Sequence, residues 1–261
     1  MTLDPHAPTE VLLLEDVRVT FGHVIALDGL SLTATTGAIT AVLGPNGAGK
    51  STMLTMIGRL LDMDEGSIEI AGYDIQSSKS VDLAKIVSIL RQENHFVTKL
   101  TVRQLVGFGR FPYTKGRLNQ HDEEVISKYI RFLHLEELQH RYLDQLSGGQ
   151  RQRAYVAMVL CQETDYVLLD EPLNNLDISH SVDMMRHLRE AAQNLGRTVI
   201  VVLHDINFAA RYADYICACK DGQIVEFGSA EDIMQDDILT PIFNTTIRVI
   251  DGPDGKIACY H

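Results

Sequence analysis

The chain has 261 residues, of which 45% are hydrophobic and 22% are charged, and its formal net charge at pH 7 is -12. This length is enough for one sizeable hydrophobic core, and the composition is that of an ordinary globular protein. The acidic balance argues against nucleic acid as a partner and against adsorption to an acidic lipid surface, because both need clustered Lys and Arg.

The sequence carries no targeting or zinc signal that we recognise. Residues 1–10 contain Asp4 and Glu10 and no basic segment followed by an apolar one, so we expect no signal peptide. No apolar run approaches the roughly 20 residues that a membrane-spanning helix needs. Only Cys217 and Cys219 lie close together, and one C-x-C pair is a poor zinc signal. We therefore expect reduced, structural thiols in a cytosolic protein.

The first third of the chain predicts antiparallel strands and then a strand that leads into a helix. Alternation over 11–21 and 31–35 predicts two antiparallel strands, with Gly22 and Gly29 near their ends. The apolar run 41–43 predicts a short strand buried on both faces. An apolar stripe predicts a helix over 50–61. Further strands are predicted over 67–71 and 86–90.

Residues 44–52 read Gly-Pro-Asn-Gly-Ala-Gly-Lys-Ser-Thr and fit the phosphate-loop pattern G-x-x-x-x-G-K-[ST] between a predicted strand and helix. Backbone N–H groups of such a loop wrap phosphate oxygens, and the helix start favours the same anion. Lys50 is expected to reach the β- and γ-phosphates of ATP, and Ser51 to ligate Mg²⁺. The loop alone does not separate kinases, GTPases and motor ATPases. The candidate ATP-binding residues are Gly44, Pro45, Asn46, Gly47, Ala48, Gly49, Lys50, Ser51 and Thr52.

After residue 91 the pattern changes to helices and later returns to strands. Helices are predicted over 101–110, 121–133 and 148–162, with no convincing strand between them. The chain therefore predicts an α/β core, one domain over 1–261, interrupted by a helical insertion at about 93–160. Strands are then predicted over 166–170, 198–203, 215–220 and 223–226, helices over 179–194 and 206–213, and a hairpin over 247–260 that turns at 252–255.

The apolar strand over 166–170 ends in two carboxylates, Asp170 and Glu171. Asp170 is expected to lie beside the phosphate loop and to hold Mg²⁺ through its waters. Glu171 is placed to polarise the attacking water, a role that contributes roughly 10²- to 10⁴-fold to a rate. The alternative is a capping pair before the turn at Pro172.

Residues 146–150 read Leu-Ser-Gly-Gly-Gln and predict a second anion-binding helix start, because Ser147 is a good N-cap and two glycines follow it. One ATP has little use for two such sites within one subunit. Between two subunits packed head to tail, each start could cover the γ-phosphate of the other, which predicts a second copy as a partner. The alternative is a simple capped helix start.

These motifs together resemble the nucleotide-binding subunit of an ABC transporter, over essentially the full length of the chain. The resemblance rests on 44–52, 146–150 and 166–171. It implies a P-loop ABC ATPase core with an antiparallel β subdomain and an inserted α-helical subdomain. The core lobe would comprise about 1–92 and 161–261, and the helical subdomain about 93–160.

The resemblance also implies roles for single residues. Without it, Gln92 would be interpreted as a surface residue after a strand and His204 as a histidine at a strand end. Gln92 would contact Mg²⁺ and the water and act as a hinge, His204 would contact the γ-phosphate, and Phe21 would stack on adenine. Residues 175–177 would cross the dimer interface. His180 and His187 are interpreted as solvated and given no role. The residues that would reach the ATP of the second subunit are Ser147, Gly148, Gly149, Gln150 and Asp177.

The implied cycle closes two subunits over two ATP molecules and reopens them on hydrolysis, with the helical lobe moving about Gln92. Since the sequence predicts no membrane span, a separate permease would receive the motion. We expect a cytoplasmic helix of that permease to dock in the groove between Gln92 and the helical lobe, on surface residues of 93–118. The chain would then lie peripherally at the cytoplasmic face of a bacterial cell membrane.

The cargo can be inferred only from resemblance. Segments 106–118 and 162–177, the latter with Asn174 and Asn175, look like ATPases of bacterial iron–siderophore importers, most closely those for catecholate types such as petrobactin. An extracytoplasmic siderophore-binding protein would then be an indirect partner. Importers of ferric citrate, hydroxamates, haem or cobalamin use similar ATPases and remain alternatives. A non-transport ABC ATPase of iron–sulfur assembly is less favoured, as is a DNA-repair ATPase, because 93–146 has no room for a long coiled coil.

Overall fold

A computed structural model of the chain describes residues 10–92, 99–253 and 255–260, and these form sheets flanked by helices. The strands are β1 (Glu10–Phe21), β2 (Val24–Thr35), β3 (Ile39–Leu43), β4 (Glu65–Ile70), β5 (Tyr73–Asp74), β6 (Val87–Leu90), β7 (Tyr166–Asp170), β8 (Thr198–Val202), β9 (Tyr215–Lys220), β10 (Gln223–Ser229), β11 (Ile247–Gly252) and β12 (Gly255–Tyr260). The α-helices are α1 (Lys50–Ile57), α2 (Ser80–Leu83), α3 (Val102–Phe108), α4 (Phe111–Thr114), α5 (Gln120–Phe132), α6 (Gly148–Cys161), α7 (Ile178–Leu195), α8 (Ile206–Tyr212), α9 (Ala230–Ile233) and α10 (Asp236–Phe243).

The central sheet has six strands in the order β10-β9-β3-β8-β7-β6, and β3 pairs in parallel with both of its neighbours. Every residue of β3, β7 and β8 is buried, as expected for a parallel sheet that is covered on both faces. Because side chains alternate across a strand, Ala41 and Leu43 join the hydrophobic cluster on one face and Val42 joins the cluster on the other. The α/β fold class predicted from the sequence is confirmed.

An antiparallel sheet in the order β2-β1-β4-β5 covers one face of the central sheet together with α1. The prediction of a strand over 31–35 was too short, because β2 begins at Val24. Gly29 was predicted near a strand end, but it lies inside β2 with φ +68°. The strand register shifts here, between the pair Val17–Leu30 and the pair Val19–Leu27. A bulge of this kind bends a strand without ending it.

Helix α1 is also shorter than its apolar pattern predicts. It ends at Ile57, because Gly58 is the C-cap and Arg59 takes the left-handed conformation at φ +54°. Leu60, which completes the predicted stripe, is 54% exposed and lies outside the helix. The stripe therefore predicted the buried face correctly and the end of the helix wrongly.

Between β6 and β7 the described residues contain helices and no strand, as the sequence predicts. Arg110 and Asp122 form an ion pair at 3.1 Å, and both are buried, so this pair ties the end of α3 to α5. Helix α4 was not predicted, because four residues leave no period to detect; the same holds for β5, α2 and α9. Helix α10 was missed although it has eight residues.

The predicted C-terminal hairpin is present, with β11 and β12 antiparallel and Gly252 opposite Gly255. Within residues 10–92, 99–253 and 255–260, the helices are all too short or too polar to cross a bilayer.

Candidate functional site

The phosphate loop lines a cavity of about 500 Å³ at the carboxyl end of β3. Two glycines of the loop are required by close backbone approaches. A Cβ on Gly44, which has φ +149°, would lie 2.1 Å from the Cys219 carbonyl oxygen, and one on Gly49, at φ +90°, would lie 2.6 Å from that of Ala26. The predicted residues that line the cavity are Phe21, Asn46, Gly47, Ala48, Gly49, Lys50, Ser51, Thr52, Gln92, Glu171 and His204.

Lys50 begins α1 and is only 5% exposed. Its Nζ donates hydrogen bonds to the carbonyl oxygens of Gly44 at 2.8 Å and Pro45 at 2.9 Å, so the ammonium group lies inside the curve of the loop. Burial lowers the pKa of Lys50, and the nearby carboxylates of Glu171 and Asp170 act against that shift. No side chain caps α1, so the dipole of its first turn is available to an anion at the loop.

Ser51 and Asp170 form an oxygen pair beside the loop. The Ser51 hydroxyl donates to Asp170 Oδ1 at 3.0 Å, and Asp170 is 5% exposed. Burial raises the pKa of Asp170, while the hydrogen bond from Ser51 opposes the shift. Hydroxyl and carboxylate oxygens are the ligands that Mg²⁺ prefers, and Mg²⁺ keeps several waters, so this donor set fits the ion without further carboxylates.

Three side chains converge on the carboxylate of Glu171. Gln92 Nε2 donates to Oε2 at 2.8 Å, and His204 Nε2 lies 2.7 Å from Oε1. Asn174 Nδ2 also donates to Oε2. The side chain of Glu171 is 8% exposed, and its backbone takes φ +51°, a conformation that costs an acidic residue energy and is common at functional sites.

The structure thus brings together Gln92, Glu171 and His204, which the sequence placed in one site only through resemblance. Asn174 was missed as a site residue. Its signal in the sequence was the position three residues after Glu171, within the same turn, where a short amide side chain can reach back to its neighbours.

The adenine position predicted for Phe21 lies at the edge of the same cavity. Phe21 ends β1 and is 52% exposed, and the neighbouring Val24 and Ile25 are 66% and 45% exposed. An exposed aromatic face flanked by aliphatic side chains is suited to stack on a planar base.

The residues 147–150 lie away from this cavity, whose lining includes none of them. Ser147 caps α6 by accepting a hydrogen bond from the Gln150 N–H at 3.2 Å, and the Gln150 side chain accepts from the Ser147 N–H at 3.1 Å. Gly148 and Gly149 follow in the first turn, where a Cβ would lie 3.5 Å from the Asn175 carbonyl oxygen and 3.1 Å from Leu176 respectively. This helix start therefore packs on residues 175–176 of its own chain.

Asp177 begins α7 and already has partners within the chain. Its Oδ1 accepts from the His180 N–H at 2.8 Å, and the His180 ring lies at the same distance. The side chain of Asp177 is 65% exposed, so it remains accessible from outside.

The interpretation of His187 as solvated was wrong. His187 is 9% exposed and packs against Phe132 and His134, with ring centroids 5.5 Å and 5.3 Å away. Among the described residues its Nδ1 has no hydrogen-bond partner, and burial lowers its pKa, an effect that His134 reinforces. Among the residues that the structure describes, no group of three or more His, Cys, Asp or Glu side chains could hold a metal ion.

The thiols of Cys217 and Cys219 are buried on β9, with their Sγ atoms 3.9 Å apart. Cys217 pairs with Val42 of β3, so the two thiols lie directly beside the strand that carries the phosphate loop. Both are free, as predicted; Cys161 is also buried, and burial raises its pKa to about 12.

The sequence matches the family model described as ABC transporter over residues 27–174. It is 62% identical over 250 residues to the petrobactin import ATP-binding protein FatE of Bacillus anthracis, which covers 96% of this chain and 100% of the relative. It is 46% identical over 247 residues to the petrobactin import ATP-binding protein YclP of Bacillus subtilis (strain 168), covering 95% and 98%. The solved dimeric structure of MJ0796, a bacterial ABC transporter cassette, matches with a TM-score of 0.76 at 29% identity, covering 84% of this chain and 98% of that chain.

Proposed function

The chain belongs to the ABC transporter family, and from that premise we propose that it hydrolyses ATP to energise import of an iron(III)–siderophore complex through a separate permease. The observation that carries the proposal is the convergence of Gln92 and His204 on Glu171, in the cavity that the phosphate loop lines. The cargo is proposed from two relatives that are named as petrobactin import ATP-binding proteins.

Glu171 is the general base of the proposed hydrolysis. Its carboxylate accepts a proton from water, the water oxygen bonds to the γ-phosphorus, and the bond between that phosphorus and ADP breaks. Lys50 exchanges its two carbonyl partners for oxygens of the β- and γ-phosphates. His204 lies next to the base and contacts the γ-phosphate.

Mg²⁺ is the metal that fits this site, and Ser51, Asp170 and Gln92 would hold it. All three offer oxygen atoms, and the first two are already 3.0 Å apart. When bound, the ion supplies positive charge to the phosphate oxygens as negative charge develops on them.

A second copy of the chain completes each site in this proposal. The capped start of α6 does not line the cavity of its own chain, and Gly148 and Gly149 leave it without bulky side chains. In a head-to-tail dimer, Ser147, Gly148, Gly149, Gln150 and Asp177 of one copy would cover the γ-phosphate held by the other.

The sequence placed the docking groove between Gln92 and the helical lobe; the apolar groove that the structure offers is formed by α3, α4 and α5 and is not lined by Gln92, and the permease docks there in this proposal. The groove has a volume of about 440 Å³, and Phe111 and Leu118 on its wall are 56% and 42% exposed. An amphipathic cytoplasmic helix of a permease has the shape and the apolar face that such a groove accepts. The part of the predicted docking segment at 93–98 lies outside the described residues, so the proposal rests on 99–118.

Charged substitutions in this groove test the docking. F111D and L118D together should abolish copurification with the permease while leaving the ATPase rate of the isolated chain unchanged. V81D is a matched control, because Val81 is 55% exposed on α2, away from the groove. If the double variant still copurifies with the permease, the docking surface lies elsewhere.

The variant E171Q tests hydrolysis, because it keeps the shape of the side chain and removes the base. It should bind Mg·ATP, stop turnover and accumulate as an ATP-bound dimer on size-exclusion chromatography. Normal turnover would remove Glu171 from the mechanism.

Uptake in a deletion strain tests the cargo. Radiolabelled ferric petrobactin should enter cells complemented with the wild-type chain and not cells complemented with E171Q. Uptake that fails only for haem or cobalamin, with ferric siderophores unaffected, would contradict the proposed cargo and leave the ATPase role intact.

A further inference from the structure

We propose that Asn174 is a positioning residue that fixes Oε2 of Glu171 and thereby directs the attacking water to Oε1. The proposal rests on the role of Glu171 as general base and deepens it. It concerns how the carboxylate is held, and not whether the carboxylate is needed.

The turn that follows β7 brings Asn174 back onto Glu171. The backbone N–H of Asn174 donates to the Glu171 carbonyl oxygen at 3.2 Å, which closes a turn over residues 171–174. The Asn174 amide then donates a second hydrogen bond to Oε2 of the same residue. Glu171 enters this turn at φ +51°, so the backbone conformation aims its side chain into reach of the amide.

The partners of the carboxylate divide unequally between its two oxygens. Oε2 accepts from both Gln92 and Asn174, whereas among the residues that the structure describes only His204 contacts Oε1. A carboxylate oxygen has about two good acceptor positions, so Oε2 is filled and Oε1 keeps one. The water that donates its proton must therefore approach Oε1, on the side of His204.

Gln92 and Asn174 hold Oε2 from different parts of the fold. Gln92 follows β6 and leads toward the helices α3–α6, whereas Asn174 is three residues from Glu171 in the same turn. A movement of the helices that withdraws Gln92 leaves the bond from Asn174 in place. Asn174 is therefore the tether that keeps the base oriented while the helical region changes position.

The test separates a tether from a residue that only builds the turn. N174A removes the amide donor, and N174G removes it while keeping a residue that is favoured in turns. Each should lower the ATPase kcat about 10-fold, because a displaced base loses the geometry that general-base catalysis needs. KM for ATP and the dissociation constant of a fluorescent ATP analogue should stay within about twofold, because Asn174 does not line the phosphate cavity. N174D should be slower than N174A, because it places a second carboxylate beside Glu171.

A cycle with E171A provides the decisive readout. In single-turnover experiments N174A should have no further effect once Glu171 is absent, because Asn174 acts only through it. The same fold-loss in both backgrounds, or unchanged kcat in N174A and N174G, would overturn the proposal. N194A is a matched control for amide removal, because Asn194 is exposed near the end of α7.

The two proposals fail in different ways. Normal turnover by E171Q would refute the general base itself. A dead E171Q together with fully active N174A and N174G would refute only the tether.

Discussion

The two helix starts of this chain at 44–52 before α1 and at 146–150 before α6 both contain glycines, but their surroundings differ. The first has no side-chain cap, a lysine that is 5% exposed, and glycines forced by neighbouring backbone. The second is capped by its own Ser147 and packs on its own chain without lining the cavity. Enclosure by the fold, more than the glycines, therefore distinguishes the half-site that we propose binds nucleotide alone from the one that we propose needs a second copy.

The largest effect should follow from K50A, which breaks the enclosed half-site. Removing a buried cation that we propose contacts two phosphates should lower ATPase activity by about 100-fold or more. It should also remove ATP binding, measured with a fluorescent nucleotide by titration. ATP affinity close to that of the wild type would contradict the assignment of the cavity.

The next largest effect should follow from S147R, which blocks the exposed half-site. This variant should bind ATP normally and lose turnover and ATP-driven dimerisation, because an arginine prevents the partner's nucleotide from reaching α6. An equimolar mixture of S147R and K50A should recover up to about a quarter of wild-type activity, because about half of the dimers are mixed and each has one intact site of two. No recovery in the mixture would contradict completion of the site between copies.

S147A sharpens the comparison at the level of stability. Loss of the cap should lower the free energy of unfolding by about 1 kcal/mol, measured by urea denaturation. N119A is the matched control, because Asn119 caps α5 in the same way with Asp122. Both variants should lose similar stability, and only S147A should slow hydrolysis. Equal ATPase rates would mean that Ser147 acts only as a cap.

The smallest effect concerns a contact outside both helix starts, where His134 after α5 meets His187 on α7. Burial lowers the pKa of His187 in the folded chain. At pH values below the ordinary histidine pKa of 6.5, the unfolded chain therefore binds more protons than the folded chain. This residue therefore removes stability as the pH falls through about 6.5, and the nearby Asp183 and Glu190 reduce the loss.

H187L should remove this loss, because leucine does not titrate and Nδ1 of His187 has no partner to lose. As the pH falls from about 7.5 to about 5.5, H187L should become more stable relative to the wild type, as measured by the free energy of unfolding. Parallel pH dependence of the two proteins would contradict the assignment.

The phosphate-binding half of the site could be predicted from the sequence, since its backbone, glycines and lysine are consecutive. The strand before it and the helix after it are also consecutive, and their order is dictated by local pattern. The end of helix α1 was less predictable. The apolar stripe continues to Leu61, but Gly58 caps the helix and Arg59 takes a left-handed conformation, so α1 ends before the stripe does. Local backbone conformations of that kind override a hydrophobic period.

The contacts of Glu171 could not be predicted from local pattern, because they depend on which strand ends become neighbours. Gln92 follows β6 and His204 follows β8, and these lie on either side of β7 in the sheet. Resemblance supplied their positions, but it did not identify Asn174 or the burial of His187. Both depend on where a side chain points within a turn or between helices, which the spacing of residues does not specify.

The buried thiols of Cys217 and Cys219 can report how often the sheet beside the phosphate loop opens locally. A thiol reagent can reach these side chains only when β9 separates from its neighbours, so the labelling rate measures that local equilibrium. Cys259 is partly exposed and would be labelled first, which gives an internal reference for the labelling rate. ATP held by the adjacent loop should slow the labelling of the pair without affecting Cys259, because a ligand that binds the closed form disfavours opening. Mass spectrometry of the labelled chain would then report nucleotide binding without a fluorescent nucleotide.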